Sequence, residues 1–165
     1  MAAVKSHIRL LRGMGACSEA VIFAEQFPSL KAAWKACPRG DWMLWLIPKW
    51  GEPVWGTPEH RKIAGIACRC ARLAEKRWAD AQSRDAVALA LAERYAAGEE
   101  ISQAALRTAA WAAGAAWAAG VAGAAWAAWA AGIAWAAGVR TAMQKQCADI
   151  VREAYPVPPA KKEEP

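Results

Sequence analysis

The sequence predicts an all-α protein, a helical bundle with a long, kinked central helix rich in Ala, Gly and Trp. Three observations predict this fold class. Candidate helix caps, prolines and glycines divide the first hundred residues into short helical segments. No segment shows the alternating pattern of a strand. Residues 108–139 form one uncharged run that contains 18 Ala, five Trp, five Gly and four other residues.

Several short helices are expected before the Ala-rich run. An apolar and basic segment comes first, and Ser18 and Ser29 are candidate N-caps of the two helices that follow it. Asp41 is expected to cap a buried apolar helix that ends before Pro48, because proline removes a helical hydrogen bond. The sequence thus predicts three short capped helices after this first segment.

Residues 48–58 are expected to form the main loop. They contain three Pro and two Gly, and Trp50 and Trp55 are expected to pin this loop to the core. Thr57 is a candidate N-cap of a longer helix. The helix after that is expected to end at Gly98, a residue type that favours helix C-termini.

The uncharged run contains a repeat. Residues 109–121 and 127–139 match at 12 of 13 positions, and their offset of 18 residues closes about five helical turns. On a helical wheel the tryptophans occupy one half of the circumference and small residues line the other half. The residues assigned to helix packing are Trp111, Trp117, Trp126, Trp129, Trp135, Gly120 and Gly123.

One unbroken helix from residue 102 to residue 155 would be about 80 Å long. We therefore expect a kink or a break at Gly120 to Gly123, and a helical hairpin stays open as an alternative. Residues 1–155 are predicted to be a single helical domain. Residues 1–101 supply its short helices and loop, residues 102–155 supply its long helix, and residues 156–165 are a disordered tail.

The composition indicates the class of partner and the cellular compartment. The formal net charge of +6 favours a partner with an acidic surface. Five cysteines form an odd set, and the N-terminal segment lacks the apolar run of a signal peptide, so a reduced, cytoplasmic protein is expected. A membrane-inserted helix is disfavoured, because Ala and Gly dominate the uncharged run.

One predicted helix has a basic face. Its cations are Arg61, Lys62, Arg69, Arg72 and Lys76, which fall within about 100° of arc. This face is either solvated or binds phosphate groups or an acidic protein. The candidate partner-binding residues are these five cations together with Trp50, Trp55 and Asp41; for Asp41 a role as helix cap is the alternative.

No motif for catalysis is present. The chain has no phosphate-binding glycine loop, no HExxH, no GxSxG and no CxxC. Cys68 and Cys70 point about 200° apart on a helix, so they cannot share one metal ion. Glu59 and His60 are either an acid/base pair or residues that favour a helix terminus. We expect no enzyme activity, no catalytic residue, no metal and no cofactor.

Several segments together resemble one protein family. They are GACSEA at 15–20, ACPRGDWMLWL at 36–46, HRKIAGIACRCARLA at 60–74, the Ala and Trp repeat, and CADIVREAYP at 147–156. The chain resembles the immunity-protein family of phage and bacterial genomes, small helical proteins with a long alanine and aromatic repeat. Members of that family more often place Tyr in the repeat and intersperse charges. The resemblance implies a protein that binds and neutralises another protein.

The expected function is therefore that of a non-enzymatic inhibitor that binds a target protein stoichiometrically. It would be immunity-protein-like or a phage anti-defence protein, including one of the anti-CRISPR kind. The alternative is a nucleic-acid-binding module that uses the basic helix 61–77. A homodimer formed through the Trp face also stays open, because Trp is enriched in protein interfaces.

Overall fold

The fold is all-α, as predicted. The structure, a computed structural model, describes residues 5–51, 53–75, 84–112 and 137–159, and every regular element in these ranges is a helix. The helices are α1 (Ser6–Gly13), α2 (Ser18–Glu25), α3 (Leu30–Ala36), α4 (Gly40–Gly51), α5 (Pro58–Glu75), α6 (Arg84–Ala96), α7 (Gln103–Ala112) and α8 (Ala137–Ala154).

Local capping residues set several of the helix ends. The hydroxyls of Ser29, Thr57 and Ser102 each accept a hydrogen bond from the backbone N–H three residues later, at 3.1 to 3.3 Å. Each bond satisfies one of the N–H groups that the first helical turn leaves unpaired. After α6, Gly98 adopts a positive φ of 107°, a conformation that costs glycine least.

The prediction that Pro48 ends its helix is wrong. Helix α4 contains Pro48 and continues to Gly51, although proline has no N–H to donate to the carbonyl one turn earlier. Apolar side chains on both sides of the proline explain the continuation, because Ile47 is buried and Trp50 packs against the core. The predicted loop 48–58 is therefore shorter, and it starts after Gly51.

Two predicted N-caps are also wrong. Ser18 is the first residue of α2, and Cys17 occupies the cap position without a side-chain hydrogen bond. Helix α4 begins at Gly40, so Asp41 lies inside its first turn. The Asp41 carboxylate binds the Arg39 guanidinium, and this ion pair takes the oxygens that a cap would offer to the backbone.

Helices α4, α5 and α8 meet in the centre of the molecule. Helix α8 packs against both α4 and α5, while α6 lies against α5, and α7 against α6. Helices α1, α2 and α3 pack on one another in sequence. The side chains at the centre are almost completely buried, and they include Met43, Leu44, Ile47, Cys70, Cys147, Ala148 and Val151.

A glycine brings α4 and α8 unusually close together. A Cβ atom at Gly40 would lie 2.7 Å from the backbone carbon of Cys147 and 2.8 Å from the backbone nitrogen of Ala148. These distances are well inside van der Waals contact. Only glycine fits at this crossing point, because backbone atoms cannot turn aside as a flexible side chain can.

Hydrogen bonds complement this packing. The N–H of Asp41 donates to Oε1 of the buried Gln144 at 3.2 Å. Arg152 of α8 donates to the carbonyl of Cys37 at 2.7 Å, just past the C-terminus of α3. The Trp34 indole N–H donates to the carbonyl of Tyr155 at 2.9 Å. Helix α8 is therefore fixed to α3 and α4 at several points.

The predicted long helix is described only at its two ends. Helix α7 begins at Gln103 and α8 ends at Ala154, next to the predicted limits of 102 and 155. The kink positions Gly120 and Gly123, and Trp117, Trp126, Trp129 and Trp135, lie outside the described residues, as does the side chain of Trp111.

The predicted tail is also described in part. Residues 156–159 are included, and Pro158 and Pro159 are half-buried, while 160–165 lie outside. The division into one domain and a tail stays a prediction. Within the ranges that the structure covers, no helix combines the length and the apolar character needed to cross a membrane.

Substitution Gly40→Ala should destabilise the protein by about 1–3 kcal/mol or more, because the added methyl group overpacks the α4–α8 crossing. The free energy of unfolding in urea measures this loss. Gly51→Ala at the other end of α4 is the matched control, since a Cβ there meets nothing within 4 Å. Equal stabilities of the two variants would contradict the close approach.

Candidate functional site

An apolar cavity of about 460 Å³ lies between α1, α2, α3 and α4 and opens to solvent. Large apolar and aromatic side chains form most of its wall. They are Leu11, Phe23, Leu30, Trp34, Trp42, Met43, Trp45 and Leu46. Cavities of this size and apolar character are typical of ligand and partner sites. We define this space as the α1–α4 cavity.

Short connections between the helices shape this cavity. Gly15, with a φ of 79°, turns the chain from α1 into α2. Pro38 follows α3 and keeps the chain extended before α4 starts. The Cys37 thiol donates to the carbonyl of Arg39 at 3.4 Å, which holds this second connection against the wall.

Charged groups stand at the rim of the cavity. Arg39 binds both carboxylate oxygens of Asp41, from Nε at 2.9 Å and from Nη2 at 2.6 Å. Its guanidinium lies 4.7 Å from the ring centroid of Trp42, in a cation–π contact. The hydrogen bonds to Asp41 raise the pKa of Arg39 above its ordinary value, so it stays protonated.

Glu19 is the second carboxylate at the rim. Its Oε2 atom lies 3.8 Å from Nη1 of Arg39, and 74% of its side chain is exposed. Asp41, in contrast, is only 11% exposed at its side chain. Because Arg39 gives its short hydrogen bonds to Asp41, the Glu19 carboxylate carries the negative charge that faces solvent.

The two cysteines at the cavity differ in exposure. All five cysteines of the chain are free thiols, and Cys17 at the rim is exposed while Cys37 is buried. Burial raises the pKa of the Cys37 thiol to about 11. A thiol with so high a pKa is uncharged at neutral pH and is a poor nucleophile. The site therefore offers surface for binding and no activated nucleophile at Cys37.

The basic face of α5 is largely paired within the chain. Arg61 is only 14% exposed at its side chain. It donates to the carbonyl of Tyr95, in the last turn of α6, at 2.8 Å and to the carbonyl of Glu99, beyond that turn, at 2.9 Å. A cation at a helix C-terminus satisfies carbonyls that have no helical partner. Arg61 thus fixes α6 to α5.

The other cations of this face also contact neighbouring helices. Arg72 binds Glu93 of α6 through two hydrogen bonds of 2.7 and 2.6 Å, and Arg69 binds Glu153 of α8 at 2.6 Å. Lys62 lies 4.0 Å from the centroid of the Tyr155 ring. Lys76 lies outside the described residues. Four of the five predicted cations therefore join α5 to its neighbours.

A second cavity, of about 570 Å³, lies along this face between α5, α6 and α8. Its polar lining groups include Arg69, Arg72 and Glu93, and all three take part in the ion pairs described above. Cys68 also lines this space, and burial raises the pKa of its thiol to about 12. Cys70 faces the other way, and its sulfur lies 4.0 Å from the carbonyl oxygen of Cys147. This agrees with the predicted angle of about 200° between the Cys68 and Cys70 side chains.

The two tryptophans predicted to pin the loop do contact the interior. Trp50 packs on the core, and Trp55 stacks on Tyr95 with ring centroids 4.5 Å apart. Both are half-buried. The structure places them on α4 and between α4 and α5, away from the rim residue Asp41, so the predicted partner-binding residues do not form one surface.

His60 and Glu59 do not form an acid/base pair. Glu59 accepts a hydrogen bond from the Tyr155 hydroxyl, whereas His60 bonds to Tyr95 at 2.7 Å between Nδ1 and the hydroxyl. The Gly56 N–H donates to that same hydroxyl at 2.9 Å. The partners of Glu59 and His60 are therefore two different tyrosines.

Some of the residues that build the site carry no recognisable sequence signal. Arg39 and Glu19 lie 20 positions apart, and only the packing of α2 beside α4 brings them together. Arg152 and Gln144 on α8 contact residues more than 100 positions away. The ion pair of Arg39 and Asp41 had a weak signal in the sequence, because these two residues flank a glycine that follows a proline.

The part of the chain that the structure describes contains no group of three residues able to hold a metal ion. Comparison with known proteins adds no relative, because no family model, no curated protein and no solved structure matches this chain.

The unfolding free energy should fall as the pH drops below about 6.5, the ordinary pKa of histidine. Burial, and then the positive charge of Arg61, lower the pKa of His60 in the folded protein. The unfolded chain therefore binds a proton at His60 that the folded protein excludes. The contribution of His60 to the unfolding free energy is complete above about pH 6.5 and is lost below it. Urea unfolding at several pH values measures the slope. His60→Asn should flatten it, and an unchanged slope would contradict this assignment.

One thiol should react quickly with a chromogenic disulfide reagent in the native protein. Cys17 is exposed, whereas Cys37, Cys68, Cys70 and Cys147 are at most 6% exposed. The remaining four should react only on unfolding. Cys17→Ser removes the fast phase if the assignment holds. A second rapid equivalent in the native protein would show that the core opens readily.

Proposed function

We propose that this protein is a non-enzymatic inhibitor that binds a target protein stoichiometrically, with the α1–α4 cavity as the binding site. The observation that carries the proposal is the open cavity of about 460 Å³ with aromatic walls. Aromatic side chains in such pockets contribute strongly to protein interfaces. A partner side chain inserted there would remove apolar surface from water, at about 25 cal/mol per Å².

The cavity is favoured over the basic face of α5 as the binding site. The arginines of that face already bind carboxylates or helix carbonyls of this chain. An external phosphate or carboxylate would have to replace those short hydrogen bonds, which reduces the net gain from binding. We therefore assign the described arginines of this face to structure and keep nucleic-acid binding as the less favoured alternative.

The inhibitory role rests on two sequence features. Catalytic motifs are missing, and the flanking motifs resemble the immunity-protein family of phage and bacterial genomes. The proposed role is immunity-protein-like or that of a phage anti-defence protein of the anti-CRISPR kind. In either case the protein acts by occupying a surface of its target, so activity should require one bound copy of the chain per target site.

Substitution Ala20→Phe tests the cavity as the binding site. Ala20 lines the cavity from α2, so a phenyl ring there should fill part of it. Ile22→Phe is the matched control, because Ile22 lies on the same helix with 60% of its surface exposed. Tagged variants are compared in a pull-down from cells that carry the protein, at near-physiological salt.

The proposal predicts a protein bound at equal stoichiometry by the original chain and by Ile22→Phe, and at least tenfold less by Ala20→Phe. Circular dichroism must show that all three chains are folded. Recovery of no stoichiometric protein by the original chain would overturn the inhibitor proposal. Undiminished binding by Ala20→Phe would overturn the cavity as its site.

A further inference from the structure

The charges at the rim define the chemistry of the occupant. Glu19 and Asp41 are carboxylates and Arg39 is the cation beside them, so the rim has a formal net charge of −1 in a chain whose total is +6. The ring beside this rim belongs to Trp42, whose face already contacts the Arg39 guanidinium. The net negative charge of the rim is suited to a positive group.

We infer that the cavity accepts a segment of the target protein in which a large apolar side chain stands next to a Lys or Arg. The inference rests on the proposed function and specifies the partner of that site. The apolar side chain enters the cavity between Phe23, Trp34 and Trp42. The neighbouring cation reaches the Glu19 carboxylate at the rim.

Glu19 is the residue that selects for charge. In the described chain its ion pair is with Arg39, at a separation of 3.8 Å. Arg39 in turn directs Nε and Nη2 to Asp41. Glu19 therefore retains unused acceptor capacity, since a carboxylate has about four lone-pair sites. A Lys or Arg can bind there without breaking any bond of the folded protein.

An acidic segment fits the same rim less well. Its carboxylate would approach Glu19, a like charge, and its best donor would be Arg39, which Asp41 already neutralises. Displacing Asp41 from Arg39 would leave a mostly buried carboxylate without its partner, which is costly. The geometry thus favours a cationic over an anionic neighbour for the inserted side chain.

A series of three naphthalene probes tests this selection. The probes 1-naphthylmethylammonium, 1-naphthylacetate and 2-(1-naphthyl)ethanol share an apolar ring and differ in charge. Titration calorimetry measures their dissociation constants for the folded protein at low salt. The cation should bind about two- to fivefold more tightly than the anion, as expected for one exposed charge pair at about 4 Å.

Two variants on α2 isolate the charge effect. Glu19→Gln should bring the two charged probes to within a factor of about 1.5 of each other. Glu25→Gln is the matched control, because Glu25 is an exposed carboxylate of the same helix that pairs with Arg12 away from the cavity. It should leave the cation preference unchanged. The captured target should likewise bind less well to Glu19→Lys and equally well to Glu25→Lys.

The outcomes separate the inference from the function on which it rests. The neutral probe can bind to the original chain and not to Ala20→Phe while the two charged probes bind equally well. That result would overturn the cationic partner and leave the cavity as a binding site. A preference that survives Glu19→Gln would overturn the role of Glu19. Failure of the neutral probe to bind would overturn the cavity as a binding site and the cationic partner with it, whereas the pull-down alone decides the inhibitor proposal.

Discussion

The close crossing of α4 and α8 at Gly40 is the constraint on which the described structure depends. A side chain at this position would meet the backbone of Cys147 and Ala148. The approach lets Leu44, Cys147 and Val151 become fully buried. It also brings the N–H of Asp41 within hydrogen-bond distance of Gln144. One missing Cβ atom therefore determines both the core and the position of the rim residue Asp41.

Helix α8 connects the crossing at Gly40 to the wall of the α1–α4 cavity. Arg152 donates to the carbonyl of Cys37, and the carbonyl of Tyr155 accepts from the indole of Trp34. Cys37 and Trp34 both line the cavity. Because both bonds are long-range, the cavity keeps its shape only while α8 remains packed on α3 and α4. The binding site is thus a property of the whole fold and not of α1 to α4 alone.

Local features of this fold were predictable and long-range features were not. The N-caps Ser29 and Thr57 and the stop at Gly98 depend on neighbouring residues, and the structure confirms them. Pro48 misled the prediction because core packing outweighs the local cost of proline inside α4.

The basic face of α5 was recognisable as a stripe, yet its ion pairs depend on α6 and α8. Asp41 was a candidate contact and Arg39 lies two positions before it, but Glu19 joins them only in three dimensions.

The exposed cations of the chain act on a partner at a distance, whereas the charged rim of the cavity acts only on contact. The arginines of α5 are neutralised by nearby carboxylates, so exposed cations such as Lys31, Lys35 and Lys145 contribute more of the outward positive field. That field is screened within about 8 Å at physiological ionic strength. It can attract an acidic surface during the encounter, while the rim acts only on groups in contact with Glu19. A target can therefore be acidic overall and still present one cation to the cavity.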